Sequence, residues 1–307
     1  MANRIPIILD VDTGVDDALA LGLAHQLPDL NLIAATTLAG NIDVEHSTAN
    51  TRNVLAFIGA GDVPVYRGAS RPLARAARDA AHYHGQNGLG DASFPESTAS
   101  VLPERGPAMI IRLAREMQGE LVLIAVGPLT NIAIALNVFP DLPSLIKRFV
   151  IMGGAFDVPG NVTPHAEFNI WADPEAAQQV FATEFPQAIA VGLDVSHQTL
   201  LTDADWRIAR SGSTPLQGML SRVCERSFVE RAQTTFPLHD PLATATARDP
   251  SLVGLERGHI DVVLSGEEEG KTAWKRDPNG NWLVATSVAV DRFLTLFRET
   301  YRLPRPN

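Results

Sequence analysis

The segment LDVDTGVDDALAL, residues 9–21, concentrates four aspartates directly after an apolar run. Asp10, Asp12, Asp16 and Asp17 fall within eight positions, and Gly14 separates them into two pairs. Glycine permits a tight turn, so carboxylates at a strand end and at a helix start can converge on one point. Carboxylates so close repel strongly where water is scarce, unless protons or a cation neutralise them. An all-oxygen donor set of this kind favours Ca²⁺ or Mg²⁺.

A simpler interpretation accounts for part of this cluster. Asp16 and Asp17 can cap the helix that the following residues predict, because negative charge is favourable at a helix N-terminus. Capping does not require four carboxylates. We therefore expect a divalent cation site at this segment, whether or not one of the two also caps the helix.

The composition limits the possible partners of the chain. Its 307 residues carry a formal net charge of −10 without a basic block, which argues against a nucleic-acid partner. A single cysteine, Cys224, is expected to be a buried core residue in a reducing compartment. The N-terminus shows no secretory signal, and the most apolar run, 121–136, is shorter than the ~20 residues of a membrane span. We expect a cytoplasmic protein without membrane contact.

Apolar, β-rich runs alternate with helical periodicity through the first two thirds of the chain. Most of these runs are apolar on both strand faces, which is typical of a parallel sheet covered by helices. The order predicts an α/β fold with a doubly wound, mostly parallel central sheet of Rossmann type, flanked by helices. No linker or internal repeat is present, so we expect one domain over residues 1–307. The predicted strands are 5–9, 30–38, 120–126, 149–152 and 188–193, and the predicted helices are 16–27, 44–59, 106–118, 129–138 and 173–184.

The last third predicts a helical and small β extension. Residues 203–231 and 240–248 show helical patterns. Strands are predicted over 259–264, 271–276 and 282–288, with a turn at 277–280.

Two long segments without periodicity, 67–98 and 153–172, are expected to lie near strand ends. Loops of this length are commonly functional, and open α/β sheets bind ligands at the carboxyl ends of their strands. The second segment brings together Asn161, Glu167 and Asn169, whose side chains combine donors and acceptors suited to vicinal hydroxyls. From the residues alone we predict a cation-dependent hydrolase acting on a hydroxyl-rich substrate.

His239 and Asp240 stand side by side before an apolar helical pattern. Asp240 can simply cap this helix, with His239 incidental. A His-Asp pair at a helix start also places a proton donor beside a metal ligand. The residues alone leave both interpretations open.

Two enzyme classes begin with a motif of this kind. Asp10-Val-Asp12-Thr13 resembles the nucleophile motif of the haloacid-dehalogenase-type phosphohydrolases, which act with Mg²⁺. Residues 10–20 also resemble the opening DxDxGxDDAxA motif of the nucleoside hydrolases at every fixed position. Later segments resemble the second class alone, so we identify the chain as similar to the inosine-uridine preferring nucleoside hydrolases over essentially its whole length. These segments are GN (40–41), HGQNGLG (84–90), GPLTN (127–131), MGGAF (152–156), AEFNIWADPEAA (166–177) and HDP (239–241).

This resemblance implies hydrolysis of the N-glycosidic bond of ribonucleosides to free base and ribose, with one Ca²⁺ per chain. The implied metal ligands are the carboxylates of Asp12, Asp17 and Asp240 and the backbone carbonyl of Val126. Asp12 is also the implied general base, which takes a proton from a Ca²⁺-bound water. The implied substrate-binding residues are Asp16, Asn41, His82, Met152, Asn161, Glu167, Phe168 and Asn169, of which Met152 and Phe168 line the sugar face.

The resemblance also implies how the base leaves. His239 is the implied acid, and His82 is a second base-side contact on a mobile loop. Histidines at both positions resemble the pyrimidine-preferring or broad-specificity branch. Members often carry an aromatic residue upstream of the HD pair, where residues 226–235 offer only Phe228, which cannot donate a proton. The resemblance implies a homotetramer or homodimer; a Mg²⁺-dependent phosphohydrolase and a non-catalytic ribose-binding protein are the alternatives.

Overall fold

The computed structural model describes residues 4–100 and 102–304. The strands are β1 (Ile5–Val11), β2 (Leu30–Thr37), β3 (Val65–Arg67), β4 (Leu121–Ala125), β5 (Ile146–Met152), β6 (Ala188–Val191), β7 (Leu200–Thr202), β8 (Thr235–Pro237), β9 (Val253–Val262), β10 (Thr272–Arg276) and β11 (Trp282–Val288). The helices are α1 (Val15–Gln26), α2 (Val44–Phe57), α3 (Ala81–His84), α4 (Gly106–Met117), α5 (Thr130–Val138), α6 (Phe168–Ala172), α7 (Pro174–Phe181), α8 (Leu193–Ser196), α9 (Asp203–Ser211), α10 (Pro215–Val223), α11 (His239–Arg248) and α12 (Val290–Tyr301).

Nine of these strands form one sheet in the order β10-β9-β11-β6-β5-β4-β1-β2-β3. In this order, each strand between β11 and β3 is parallel to its neighbours. β9 pairs antiparallel with both β11 and β10. β7 and β8 form a separate antiparallel pair. The predicted mostly parallel α/β sheet with a small β extension is confirmed.

The sheet has its topological switch point at β1. The chain passes from β1 to β2 on one side and later returns through β4 on the other side of β1. Crossover connections therefore diverge at this point, and a crevice forms beyond the carboxyl ends of β1 and β4. Asp10, near the end of β1, pairs with Thr36 of β2 and Ala125 of β4. The aspartate-rich segment thus begins at the mouth of the crevice.

The hydrophobic core has two halves, one on each face of the sheet. In β1, Ile7 and Leu9 pack into one half and Ile8 into the other, as the two-residue period of a strand requires. Helices α1, α10 and α12 cover the first face, whereas α4, α5 and α7 cover the second. Strands covered on both faces explain the near-continuous apolar runs in the sequence.

The structure differs from the predicted elements mainly in short segments. The helix predicted over 203–231 is α9, α10 and a single π-helical turn, Arg226–Glu230. The break follows from Thr214, which caps α10, and Pro215, which occupies its first position. β9 begins at Val253, six residues before the predicted start at 259. In the described residues, 4–100 and 102–304, no helix is long and apolar enough to cross a membrane.

Candidate active site

A cavity of 240 Å³ lies at the carboxyl ends of β1, β4 and β5, beside the switch point. Two residues implied by the sequence, Asp12 and Asp17, lie beneath this cavity and are fully buried. The remaining sequence-derived candidates all line it. They are Asp16, Asn41, His82, Val126, Met152, Asn161, Glu167, Phe168, Asn169, His239 and Asp240.

Three buried carboxylates converge at the floor of the cavity. Asp16, Asp17 and Asp240 each contribute an oxygen atom, and these atoms lie within 4.8 Å of one another. Burial, and then the charge of Asp17, raises the pKa of Asp16 to about 8. Burial raises the pKa of Asp17 to about 6, and burial followed by the charge of Asp16 raises the pKa of Asp240. The cluster therefore requires protons or a cation to be stable.

Asp12 adds a fourth carboxylate to this group. Its Oδ2 accepts a 2.6 Å hydrogen bond from the backbone N–H of Asn41, whereas its buried Oδ1 has no partner in the described part of the chain. Oδ1 of Asp16 is likewise buried and unpartnered. Residue 127 is a glycine beside Oδ1 of Asp12, and a Cβ atom there would lie only 2.8 Å from that oxygen. Buried carboxylate oxygens without donors are costly, and they fit a hard divalent cation.

Asp17 also organises the turn that precedes α1. Its Oδ1 accepts from the backbone N–H of Asp12 at 3.1 Å, and its Oδ2 accepts from the N–H of Gly14 at 2.9 Å. The N-cap residue is Gly14 itself. The capping interpretation therefore holds in part. Asp17 is not the N-cap, but its carboxylate accepts from the backbone N–H of the N-cap residue and so closes the turn. Asp240 does not cap α11, because the N-cap of that helix is Leu238, and the capping interpretation of Asp240 is wrong.

Asp10 has a different environment from the other aspartates. It is fully buried, does not line the cavity, and accepts hydrogen bonds from Thr36 Oγ1 and, at 2.7 Å, from Asn131 Nδ2. Burial raises its pKa to about 7 despite these bonds. Asp10 thus connects β1 to β2 and α5. Its Oδ1 accepts both bonds, and its Oδ2 is buried without a partner in the described residues.

The loop after β5 and the start of α6 form a rigid wall of the cavity. Glu167 is the N-cap of α6, and its carboxylate accepts from the N–H groups of Asn169 at 2.9 Å and Gly154 at 3.0 Å. Asn169 Nδ2 donates to the carbonyl oxygen of Val126 at 2.8 Å. Oδ1 of Asn161 accepts from the N–H of Phe168 at 3.0 Å. These polar side chains are therefore held in place before any ligand arrives.

His84 is a cavity residue that the sequence analysis did not select. Its Nδ1 accepts a 3.1 Å hydrogen bond from the backbone N–H of Val15. A backbone amide can only donate, so Nδ1 is unprotonated and Nε2 carries the proton. Burial, followed by the charge of Arg231, lowers the pKa of His84 to about 3, which keeps the ring neutral. The sequence signal is the glycine that follows it, Gly85, which has a φ of +86°.

His82, the histidine selected from the sequence, is exposed at the edge of the cavity. Its backbone carbonyl accepts a hydrogen bond from the guanidinium of Arg231. The same guanidinium lies over the ring of Tyr83, 5.2 Å from its centroid, and Tyr83 also lines the cavity. The loop that carries these residues is thus attached to residue 231.

His239 is the first residue of α11, and it lines the cavity next to Asp240. Its Nδ1 lies 2.7 Å from Oγ of Ser196, and its ring centroid lies 5.3 Å from that of His197. Burial, followed by the charge of His197, lowers the pKa of His239 to about 3. The ring is neutral near pH 7 and offers one donor and one acceptor.

Phe228, the aromatic residue in the segment 226–235, does not line the cavity. It lies in the π-helical turn and stacks on Trp206 with ring centroids 5.7 Å apart. Single π-helical turns are frequent at functional sites. The aromatic ring that borders the cavity at this side is Tyr83 of α3.

Comparisons with known proteins identify the family of this chain. The family model of the inosine-uridine preferring nucleoside hydrolases matches residues 7–295. The inosine-uridine preferring nucleoside hydrolase of Leishmania major is 37% identical over 300 residues, which are 94% of this chain and 95% of that protein.

Two solved structures share the whole fold. A plant nucleoside hydrolase matches with a TM-score of 0.91 and 31% identity over 98% of this chain and 100% of its own. A purine-preferring ribonucleoside hydrolase from Gardnerella vaginalis matches with a TM-score of 0.91 and 34% identity over 96% of this chain and 98% of its own. The chain therefore belongs to the nucleoside hydrolase family, and the reaction of this enzyme is hydrolysis of the N-glycosidic bond of ribonucleosides.

Proposed function

We propose that this chain cleaves ribonucleosides with one Ca²⁺ at the cavity floor and with Asp12 as the general base. The observation that supports this most strongly is the unpartnered Oδ1 of Asp12, buried beside the converging oxygens of Asp16, Asp17 and Asp240. Bound there, Ca²⁺ supplies Lewis acidity toward water and an anchoring charge for hydroxyl oxygens.

The residues that would hold the cation are Asp12, Asp17, Asp240 and the carbonyl of Val126. Three carboxylates, a carbonyl and the hydroxyls of a ribose make a large, irregular oxygen set, which Ca²⁺ accepts and Mg²⁺ does not. We assign Asp16 to the ribose because the family resemblance implies that role and because its side chain lines the cavity, whereas Asp17 lies beneath it. Asp240 and Val126 also line the cavity, so the cation would lie at its floor, within reach of the ribose.

Asp12 is suited to accept a proton from the attacking water. The N–H of Asn41 holds Oδ2, which leaves Oδ1 as the free acceptor. Without a cation, burial and then the charge of Asp17 raise the pKa of Asp12. The case for Asp12 as the base therefore rests on the position of Oδ1, not on that pKa.

The ribose is held by the polar wall of the cavity. Asp16, Asn161, Glu167 and Asn169 bind its hydroxyls, while Asn41 supports the water side. Met152 and Phe168 line its apolar face. Cleavage of the N-glycosidic bond builds positive charge on the sugar ring, as in glycoside hydrolysis, so the surrounding carboxylates stabilise the transition state more than the substrate. Because these contacts are made to hydroxyls, the site should favour ribose over a sugar that lacks one of them.

His239 assists the departing base. Because its ring is neutral, the assistance is a hydrogen bond from one ring N–H to the base, the role that a neutral imidazole takes as an electrophile. His84 and Tyr83 border the same space, and His82 contacts the base from the edge of the cavity. These histidines, with no tryptophan among the described residues that line the cavity, support a pyrimidine-preferring or broad base preference.

The test is release of free ribose from uridine, cytidine, inosine, adenosine and guanosine, with chelator and after addition of Ca²⁺ or Mg²⁺. We expect release from uridine and inosine, its loss on chelation, and its return with Ca²⁺. Ribose release that is insensitive to chelation would contradict the metal assignment. No ribose release, together with phosphatase activity, would favour the phosphohydrolase alternative, and binding of nucleosides without turnover would favour a ribose-binding protein.

Two broader properties complete the proposal. The family resemblance supports a homodimer or homotetramer, which light scattering of the purified protein tests. It also supports a cytoplasmic location and a single domain over residues 1–307, which cell fractionation and limited proteolysis test.

A further inference from the structure

Ser196 lies at the end of α8 and is completely buried. Its side chain does not line the cavity, yet its Oγ is 2.7 Å from Nδ1 of His239. This distance is that of a normal hydrogen bond, and it leaves open which of the two groups donates. The direction decides whether His239 has a hydrogen to offer the cavity.

The surroundings of Ser196 decide the direction. In the described part of the chain, the hydroxyl hydrogen of Ser196 has no acceptor other than Nδ1 of His239. The hydroxyl of Thr199, also buried, donates to the backbone carbonyl of Ser196 and not to the histidine. A buried hydroxyl whose hydrogen lacks an acceptor costs free energy, so Ser196 donates. Nδ1 is then the acceptor, and the ring hydrogen is on Nε2.

Nδ1 of His84 is also hydrogen-bonded, and its partner is a backbone N–H group, which can only donate. The backbone N–H of Val15 donates to Nδ1 of His84, so that ring also carries its hydrogen on Nε2. Two cavity histidines are therefore held in one tautomer by partners from different parts of the fold. The ring of His197 lies beside that of His239, with an interplanar angle of 61°.

We propose that Ser196 is a positioning residue that fixes His239 as the Nε2–H tautomer and thereby supplies the hydrogen-bond donor for the departing base. The inference rests on the proposed role of His239 in the reaction. Without the hydroxyl, the ring is free to adopt the other tautomer, which presents an acceptor to the base. Ser196 itself touches neither the substrate nor the cation.

The test compares Ser196→Ala with Ser196→Thr, which keeps the hydroxyl, and with Thr199→Val, which removes a buried hydroxyl that does not reach His239. Uridine needs help for its leaving group, whereas p-nitrophenyl riboside has an activated leaving group. We expect Ser196→Ala to lower kcat for uridine about tenfold, the worth of one hydrogen bond, with KM and the turnover of p-nitrophenyl riboside within about twofold. Ser196→Thr and Thr199→Val should remain near the wild type on both substrates.

Nitrogen-15 spectra of the wild-type enzyme provide a readout that does not depend on any variant's folding. We expect the His239 signals of an Nε2–H ring; the Nδ1–H pattern would overturn the inference. Equal losses of Ser196→Ala on both substrates, or no loss on uridine, would also overturn it. His239→Ala, measured in parallel, tests the role of His239 separately from that of Ser196. Equal losses of this variant on both substrates would refute the role of His239 itself.

Discussion

Replacing Asp240 by asparagine is expected to have opposite effects on stability in the absence and in the presence of calcium. Oxygen atoms of Asp16, Asp17 and Asp240 lie within 4.8 Å of one another. At that separation and an effective dielectric constant of about 20, each ionised pair repels by about 3.5 kcal/mol. The metal-free wild type contains three such pairs and the variant one, so the substitution removes about 7 kcal/mol of repulsion when all three groups are ionised.

The pH dependence of this gain follows from the raised pKa values. A carboxyl whose pKa is higher in the folded state than in the unfolded state stabilises the fold below its unfolded pKa of 3.8, and this stabilisation is lost as the pH rises toward the folded value, about 8 for Asp16. The wild type can escape the repulsion by keeping a carboxyl protonated. This costs about 1.4 kcal/mol for each pH unit above the unfolded pKa. Without metal, the free energy of unfolding of the variant should therefore exceed that of the wild type by at most about 2 kcal/mol near pH 5 and by at most about 6 kcal/mol near pH 8.

Urea-induced unfolding with chelator and with excess calcium measures both effects. With calcium the order should reverse, because Asp240→Asn lacks one of the charged ligands proposed for the cation. Asp249→Asn, at the opposite end of α11, is the matched control, and its calcium response should equal that of the wild type. The reasoning is refuted if chelated Asp240→Asn is no more stable than the chelated wild type near pH 8, or if calcium stabilises both proteins equally.

Asp12→Asn should lower kcat by about 10²- to 10⁴-fold, the usual contribution of a general base, with an unchanged circular dichroism spectrum; activity near that of the wild type would exclude Asp12 as the base. His239→Ala should reduce kcat for uridine far more than for p-nitrophenyl riboside in steady-state assays. Burial raises the pKa of Asp205, but hydrogen bonds from Arg298 and Thr202 outweigh burial and hold it below 3.8. Arg298→Met should therefore cost about 3–5 kcal/mol at neutral pH in urea titrations, and the deficit should shrink as the pH falls below about 4; a deficit independent of pH would contradict this account.

The central sheet was predictable because its strands have a strong local signal. In β4 every residue is buried, and in β1 and β5 five of seven are, so the apolar runs stand out against the helices between them. The three-residue strands β3, β7 and β8 and the four- and five-residue helices have no such signal. Segments this short show no full period, and their structure depends on tertiary contacts.

The acidic part of the site was predictable because its residues are clustered in sequence, whereas the base side was not. His82 and His84 are two positions apart in the four-residue helix α3, and residues at that spacing do not share a helix face. Only the fold shows that His84 is buried against the N-terminus of α1 and that His82 is exposed. Similarly, the aromatic residue at the base side is Tyr83, which lies far in sequence from the segment 226–235.

The base side of the cavity is built from two segments that are joined mainly by side chains. Asp91 forms an ion pair with Arg226, and Arg231 reaches the carbonyl of His82 and the ring of Tyr83. The proposed ribose side, by contrast, is built on the ends of sheet strands and on the loop before α6, whose polar side chains are held by hydrogen bonds to backbone groups. Mutations in the π-helical turn can therefore reshape this side of the cavity without touching the buried carboxylates. In such an architecture, evolution can change the accepted base while the mechanism of bond cleavage is inherited intact.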